Sequence, residues 1–352
     1  MLIYPTFKMA PIQGLTGFGG GATGNLVSGG AAGLYNFTTY TFNEPDNGKD
    51  GTPFSTLQSR YAGQPFLTSG NLVQGQYTGY HKLTMPFTGV YEFEAAGAPG
   101  SATTGGYDGV THYGGRGIIL KGRMSLNESD IIQFAIGKSG EGDWQGYVGG
   151  GGGGTFIVKN TFFTSSASDS NIILVAGGGA GGAYNTGSSI TSSILDGSAN
   201  TYGTGGQGGS YYGNGGQNGN GGNGNGWYGS YGPAGPAAGI YSAPTNFNHN
   251  GQAAAPTPFA SGNVGGLGYY RRVQSSGPGH ESGFGGAGAG GNYAGGPGGG
   301  YSGGGGGSGN NYSSGGGGSY TSNLSNVSTV GYQGTGAIES PSGGYVKITF
   351  IG

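Results

Sequence analysis

A chain of 352 residues with 93 glycines and 15 prolines, a formal charge of only -2 and 25 tyrosines does not fit a disordered polymer, which is strongly charged and poor in aromatics. Collagen is excluded because the glycines keep no strict three-residue period. Near-balanced charge gives no electrostatic case for nucleic acid or an anionic membrane as partner, and the absence of cysteine removes any disulfide framework.

Residues 1–33 read as an apolar, glycine-punctuated arm with one charge, at Lys8. The arm lacks the apolar core of a signal peptide, and no stretch approaches the roughly 20 apolar residues of a membrane span. The expectation is a chain folded in a cytoplasm, without membrane insertion. Such an arm cannot bury a core alone. It either docks on another protein, with Tyr4, Phe7, Leu15 and Phe18 as anchors, or folds back on its own domain.

From Leu34 the texture changes to short strand-like runs. Leu34–Phe42 is rich in β-branched and aromatic residues and is followed by the turn-forming Asn43–Gly51. Ser55–Tyr61 suits one or two helical turns. Strands are predicted at Lys82–Phe87, Val90–Ala96, Gly117–Lys121, Ile131–Ile136, Thr155–Lys159 and Asn171–Ala176, separated by Gly, Pro, Asn or Ser. Short strands so spaced indicate an antiparallel sandwich or jelly roll. The last run, Tyr345–Phe350, alternates apolar and polar residues as a half-buried strand does. The expected organisation is an arm at 1–33, a β-sandwich at 34–176 plus 344–352, and a glycine-rich insert at 177–343.

Inside the insert charge nearly vanishes, with Asp196, Arg271, Arg272 and Glu281 as its charged residues between Ile172 and Ile338. A solvated linker is richer in Ser, Glu or Lys. Here Tyr and Trp punctuate the glycines, at Tyr202, Tyr211, Tyr212, Trp227, Tyr228, Tyr231, Tyr241, Tyr269, Tyr270, Tyr293, Tyr301, Tyr312 and Tyr320, suited to covering the faces of an ordered array or lining its ends. The expectation is a bundle of polyglycine, polyproline II-type helices with three residues per turn and no internal hydrogen bonds. Their buried amides and carbonyls must bond to neighbouring helices, which demands the close approach that glycine allows. Fixing each residue costs about 1–2 kcal/mol and a net hydrogen bond returns about 0.5–1.5 kcal/mol, so the array needs many helices and a scaffold that holds their ends.

Tests for chemistry are mostly negative. Gly137-Lys138-Ser139 lacks the upstream glycine of a phosphate-binding loop, since Ile132 stands there. The acidic turn Asn43–Gly51 lacks the terminal Glu of a calcium loop, with Leu57 at that position. His81, His112, His249 and His280 are scattered and join no nucleophile or metal motif. No enzymatic activity, metal or cofactor is expected. Lys121, Arg123, Glu128, Asp130, Lys138, Glu141 and Asp143 are read as solvating one sheet face or its loops. Arg271-Arg272 is either a solvated loop or a contact for an acidic sugar or a partner's carboxylate.

The span Pro86–Gly100, with Gly114–Gly117, Ile131–Gly140, Gly149–Val158 and Ile173–Gly179, resembles the glycine-rich extracellular domain of anaplastic lymphoma kinase-type receptors. That resemblance implies a TNF-like jelly roll combined with glycine helices. It covers roughly residues 80–350 and carries no receptor function, since the chain shows no kinase domain or membrane span. The opening, Gly14–Ala22 and Leu34–Phe42, is similar to glycine-rich virion proteins of marine tailed phages, and more loosely to the tail-tip adhesins of T-even-like phages. These likenesses imply a non-enzymatic tail-fibre or surface-fibre component exposed on a virion, attached to other virion proteins through residues 1–33, in which a homo-oligomer such as a trimer is one arrangement. Its partner would be a host cell-surface protein or glycan, met by the aromatic tips Trp227, Tyr228, Tyr231, Tyr269, Tyr270 and Arg271. Two other classes stay open: a structural capsid-decoration or fibre-shaft protein, and a secreted glycine-rich protein of extracellular-matrix or antifreeze-like type, with Asn36 and Asn326 as glycosylation sequons.

Overall fold

The computed structural model describes residues 33–352 except 104–110, 143–147, 165–166, 184–191, 208–212, 225–233, 246–251, 269–280, 292–293, 308–312 and 335–342. The chain begins with β1 (Thr39–Asn43), α1 (Phe54–Arg60) and α2 (Pro65–Thr68). It continues through β2 (Leu72–Gln74), β3 (Tyr80–Thr84), β4 (Gly89–Ala96), β5 (Gly117–Leu126), β6 (Ile131–Ala135), β7 (Thr155–Lys159) and β8 (Ile172–Ala176). A long segment follows that holds α3 (Ser192–Leu195) and the small hairpin of β9 (Gln252–Ala254) and β10 (Leu267–Gly268). Then come β11 (Ser325–Gln333) and β12 (Tyr345–Phe350). The large strands form two antiparallel five-stranded sheets, in the orders β1-β12-β4-β5-β11 and β2-β3-β6-β7-β8. The fold is therefore all-β, and the C-terminal strand completes the first sheet by pairing with both β1 and β4.

The side chains explain this pairing. Phe42, Tyr91, Phe93, Ile118, Leu120, Phe134, Ile157, Leu174, Val346 and Ile348, drawn from both sheets, form one buried cluster. Alternation then sends the other residues of the first sheet outward. Cross-strand registers align Thr41, Lys347, Glu94, Lys121 and Ser328 in one row, and Thr39, Thr349, Glu92, Arg123 and Ser325 in the next. Opposite charges face each other across these rows, with Arg123 Nε 2.9 Å from Glu92 Oε2. Lys121 and Arg123 thus line a polar sheet face.

The second sheet is buried on both sides over β7, β8 and most of β6. Its outer face presents Tyr80, Phe156, Val158, Ile172 and Val175, and these pack with Ile240, Phe259, Phe284, Tyr301 and Tyr320 from the glycine-rich region. Phe259 stacks on Phe156 with ring centroids 4.6 Å apart and accepts the Tyr80 hydroxyl on its carbonyl at 2.6 Å. Double burial accounts for the consecutive apolar residues Phe156, Ile157 and Val158 in β7 and the unbroken apolar sequence of β8, which would otherwise alternate.

At one end of the sheets the strands run directly into glycine segments. β4 continues into 97–103, β6 into 137–142 and β8 into 177–183, while 112–116 leads into β5 and 148–154 into β7. Antiparallel pairing puts these ends side by side, and Ala98 N–H to Gly153 O at 2.9 Å links segments from the two sheets. The hydrogen bonds follow a period of three. Gly178 and Gly181 donate to Gly299 and Gly296, Gly179 and Gly182 donate to Ala98 and Ser101, and Ala180 donates to Leu195. The same period recurs where Gly149 and Gly152 donate to Gly182 and Gly179, and Gly150 and Gly153 to Glu141 and Lys138. Successive residues thus bond to different neighbouring segments.

The division expected at 176/177 does not follow this network, because the segments at 97–103, 112–116, 137–142 and 148–154 belong to it along with 177–183 and 294–307. Ser325–Gln333 also differs from expectation: within the range assigned to the insert it forms β11, an edge strand paired to β5 with two register shifts. Its Val, Thr and Tyr residues favour a strand, while Gly331 and the flanking polar residues conceal the pattern.

Two outcomes follow. A methyl group on Gly178 would lie under 3.0 Å from the Gly152 carbonyl, so Gly178→Ala is expected to cost at least roughly 1–3 kcal/mol. Gly205→Ala, whose added carbon would be 3.3 Å from its nearest atom, is expected to cost much less; chemical denaturation of both variants checks the ranking. The second outcome concerns His81, which is buried against Phe134 at 5.2 Å; burial and then the Arg60 charge push its pKa down to about 3. An unfolded histidine binds a proton below about pH 6.5 while this one stays neutral, so its contribution to stability is full above that pH and is lost progressively as the pH falls below it. His81→Phe is expected to flatten this acid limb in denaturation midpoints measured between about pH 4 and 7.

Candidate functional site

At the end of the second sheet opposite to the one from which β6 and β8 run into glycine segments, polar turns gather beside the start of β8. The β7–β8 connection holds two 3₁₀ turns, Asn160–Phe162 and Asp169–Asn171. Phe162 is buried and stacks parallel to Tyr241, with an interplanar angle of 9°. Tyr241 follows Ile240, which plugs into the outer cluster of the second sheet. Tyr301 and Tyr320 each end a glycine run, at 298–300 and 315–318, and pack on each other at 4.8 Å. Aromatic punctuation here fixes where glycine segments meet the sheet.

These elements bring the exposed Asp169 to the tyrosines. The Tyr241 hydroxyl donates to Asp169 Oδ1 at 2.6 Å, and the Tyr301 hydroxyl lies 2.9 Å from Oδ1 and 3.0 Å from Oδ2. Asn323 Nδ2 donates to the Asp169 carbonyl at 2.6 Å and to that of Ile172 at 2.7 Å. Burial, followed by the Asp169 hydrogen bond, raises the Tyr241 and Tyr301 phenols well above the ordinary value; burial also raises Tyr320.

An amide-rich turn adjoins this cluster. Asn218 and Gly219 have φ of 52° and 79°, the left-handed pair of a tight type I′ turn, and Asn220 N–H closes it on Gln217 O at 3.0 Å. The turn is tied down by Gly219 N–H donating to Ser302 Oγ at 3.1 Å, by Tyr241 N–H donating to Gly219 O at 2.9 Å and by Ser242 Oγ donating to Asn220 Oδ1 at 3.1 Å. Gln217, Asn218 and Asn220 are exposed. In the neighbouring turn Thr201 O accepts from Ser302 Oγ and Asn200 O from Ser319 N–H, leaving Tyr202 half exposed. The arrangement offers a fixed carboxylate, phenols and neutral amides on anchored backbone.

The residues expected to contact a host, Trp227, Tyr228, Tyr231, Tyr269, Tyr270 and Arg271, lie outside the described residues. So do the arm residues Tyr4, Phe7, Leu15 and Phe18. Lys138 is buried, its amide donating to Phe284 O and its carbonyl accepting from Gly153 N–H, so Gly137–Ser139 is part of the glycine network. The acidic turn at 43–51 also braces that network. Gly48 N–H donates to Ser139 O at 3.0 Å, Lys49 Nζ lies 3.4 Å from Glu281 Oε1, and Glu44 pairs with Arg60 at 3.0 Å. Among the described residues no group of three or more His, Asp or Glu is placed to hold a metal ion, and no helix is long and apolar enough to cross a membrane.

Sequence reasoning passed over Asp169 and Asn323. Asp169 sits in a Ser-rich polar run between two strands, and its side-chain partners lie 72 and 132 residues away, so nothing local marks it. Comparison of the sequence with protein-family models and with curated proteins gave no match.

Asp169→Asn is expected to lower the alkaline titration of Tyr241 and Tyr301 without returning it to the ordinary phenol range, since burial is the larger cause of the shift. Ultraviolet difference titration, assigned with Tyr241→Phe and Tyr301→Phe, measures this. Because both phenols keep their protons in the fold while unfolded tyrosines ionise near pH 10, their contribution to stability is present below about pH 10 and is lost above it.

Proposed function

We propose that this protein is a non-enzymatic virion component of a tailed phage, a tail-fibre or surface-fibre protein that holds recognition turns on a rigid glycine scaffold. The observation that carries this reading is the network in which glycine amides bond with a period of three to different neighbouring segments. Three residues per turn is the repeat of the polyproline II conformation. On this reading the segments are polyglycine helices packed side by side, and the sandwich beneath them is of the TNF-like jelly-roll kind.

Such a scaffold suits display. Turns anchored by backbone and seryl hydrogen bonds at both ends lose little freedom when a partner binds, which favours affinity. The anchored Tyr202, Tyr241 and 217–220 turn give the reading a surface among the described residues, and Trp227, Tyr228, Tyr231, Tyr269, Tyr270 and Arg271, which lie outside them, extend it in sequence. Tyrosine and tryptophan supply contact area at low entropy cost. Residues 1–33 would join the chain to the particle.

A structural role as a decoration or fibre-shaft subunit is the second reading. It is favoured by the exposed Val327, Val330 and Tyr332 on the edge strand β11, which suit lateral packing of copies. Immunogold labelling of intact particles, combined with competition of adsorption by the purified chain, separates the two. Label at a fibre tip and reduced adsorption are expected; label confined to capsid or shaft with undiminished adsorption would remove the recognition reading.

A further inference from the structure

Asp169 is held more elaborately than a surface carboxylate needs. Its oxygens accept from the Tyr241 and Tyr301 hydroxyls, its carbonyl accepts from Asn323, and these partners come from separate stretches of chain. Among the described residues no Lys, Arg or His forms an ion pair with it. A carboxylate has about four lone-pair sites, and two phenol protons occupy about half of them. The described hydrogen bonds leave the rest to other partners, and Asp169 is an exposed residue.

We propose that Asp169, together with the amide turn at Gln217–Asn220, binds a neutral saccharide through vicinal hydroxyls. The proposal rests on the surface-recognition reading and names the ligand class for it. Tyr241 joins the two parts, its side-chain hydroxyl on Asp169 and its backbone amide on the Gly219 carbonyl, so one residue ties the carboxylate to the turn. Phe162 stacks parallel to that ring and holds its orientation.

The chemistry selects among ligands. A vicinal diol donates both hydroxyls to the free carboxylate positions, and such charge-assisted bonds are the strong ones. Gln217, Asn218, Asn220 and Ser242 both donate and accept, as sugar hydroxyls require. An acidic ligand is repelled by Asp169. A polycation would be drawn by one charge alone and would leave the neutral amides without a role.

The test uses the full chain and saturation-transfer NMR with methyl α-D-mannopyranoside and methyl β-D-galactopyranoside, with spermidine as the cationic probe. At least one pyranoside is expected to bind. Its affinity should fall about tenfold or more in Asp169→Asn, the loss of a hydrogen bond to a charged group, and should also fall in Asn220→Ala, with circular dichroism melting as the check on folding. If Asp169→Asn does not fold, the exposed Asn220→Ala carries the decision. Absence of pyranoside binding, equal binding by the folded variants, or binding of spermidine alone would overturn the proposal. Competition of particle adsorption without pyranoside binding would overturn this site and leave the recognition reading intact. Pyranoside binding lost in the variants, with no effect on adsorption, would support the site and count against the virion-recognition role.

Discussion

The bond from the amide of one glycine to the carbonyl of a residue in another glycine segment is the constraint on which the rest of the structure depends. Strands in a sheet bond to at most two neighbours and leave both faces free for side chains. In the segments around 149–154 and 177–182 successive amides reach different partners, so little room remains for side chains and none larger than the methyl of Ala180 occurs there. The glycines of these two segments are absent from the positive-φ positions; they are glycine because a Cβ would strike a neighbouring carbonyl, not because of an unusual turn. Alanine enters the network at 98 and 180 without loss of burial.

Such a network cannot nucleate cheaply, because no segment satisfies its own backbone. The sheets solve this by delivering glycine segments already side by side from the ends of β4, β5, β6, β7 and β8. Aromatic residues then attach the later segments to the outer face of the second sheet, where Phe259, Phe284, Tyr301 and Tyr320 close a second apolar cluster. Serine hydroxyls finish the bonding where the glycine pattern falters. Ser302 Oγ caps Thr201 O and Ser319 Oγ caps Ser198 O, each at 2.6 Å. Among charged groups Arg116 holds the buried Asp196 through Nε and Nη2, pinning the segment after α3 to the strand that begins at Gly117.

Much of the sheet architecture was legible because strand physics is local. Thr155–Lys159 and Tyr345–Phe350 were read to the residue, since β-branched runs bounded by glycine leave few alternatives. β11 escaped because its valines and tyrosine are spaced by glycine and polar residues, and its two register shifts break the alternation that marks a strand. The extent of the glycine network was not legible either. Short stretches such as Gly97–Thr103 look like loops until their partners are known, and those partners are set by three-dimensional packing. The same limit hid Asp169, whose environment is assembled by tyrosines that only the finished network brings together.

Glycine and recognition have opposite requirements, and the proposed function rests on their separation in this chain. Glycine carries almost no chemical information, so a surface made of it cannot discriminate partners. Its value is that it fixes backbone without occupying space, and so holds turns such as Gln217–Asn220 between bonds to Ser302 and Tyr241. Exposed side chains on such a turn can change without disturbing the bonds that hold it, because those bonds use the backbone and neighbouring groups. Asn220 departs from this rule, since its amide also bonds Gln217 O and Ser242; its side chain serves both the turn and the surface. On the proposed reading, specificity can therefore vary at Gln217 at little structural cost, whereas Asn218 is held to the few residues that accept its left-handed φ of 52°. Asn220 and the tyrosine-held Asp169 are then the fixed points around which a ligand would be oriented.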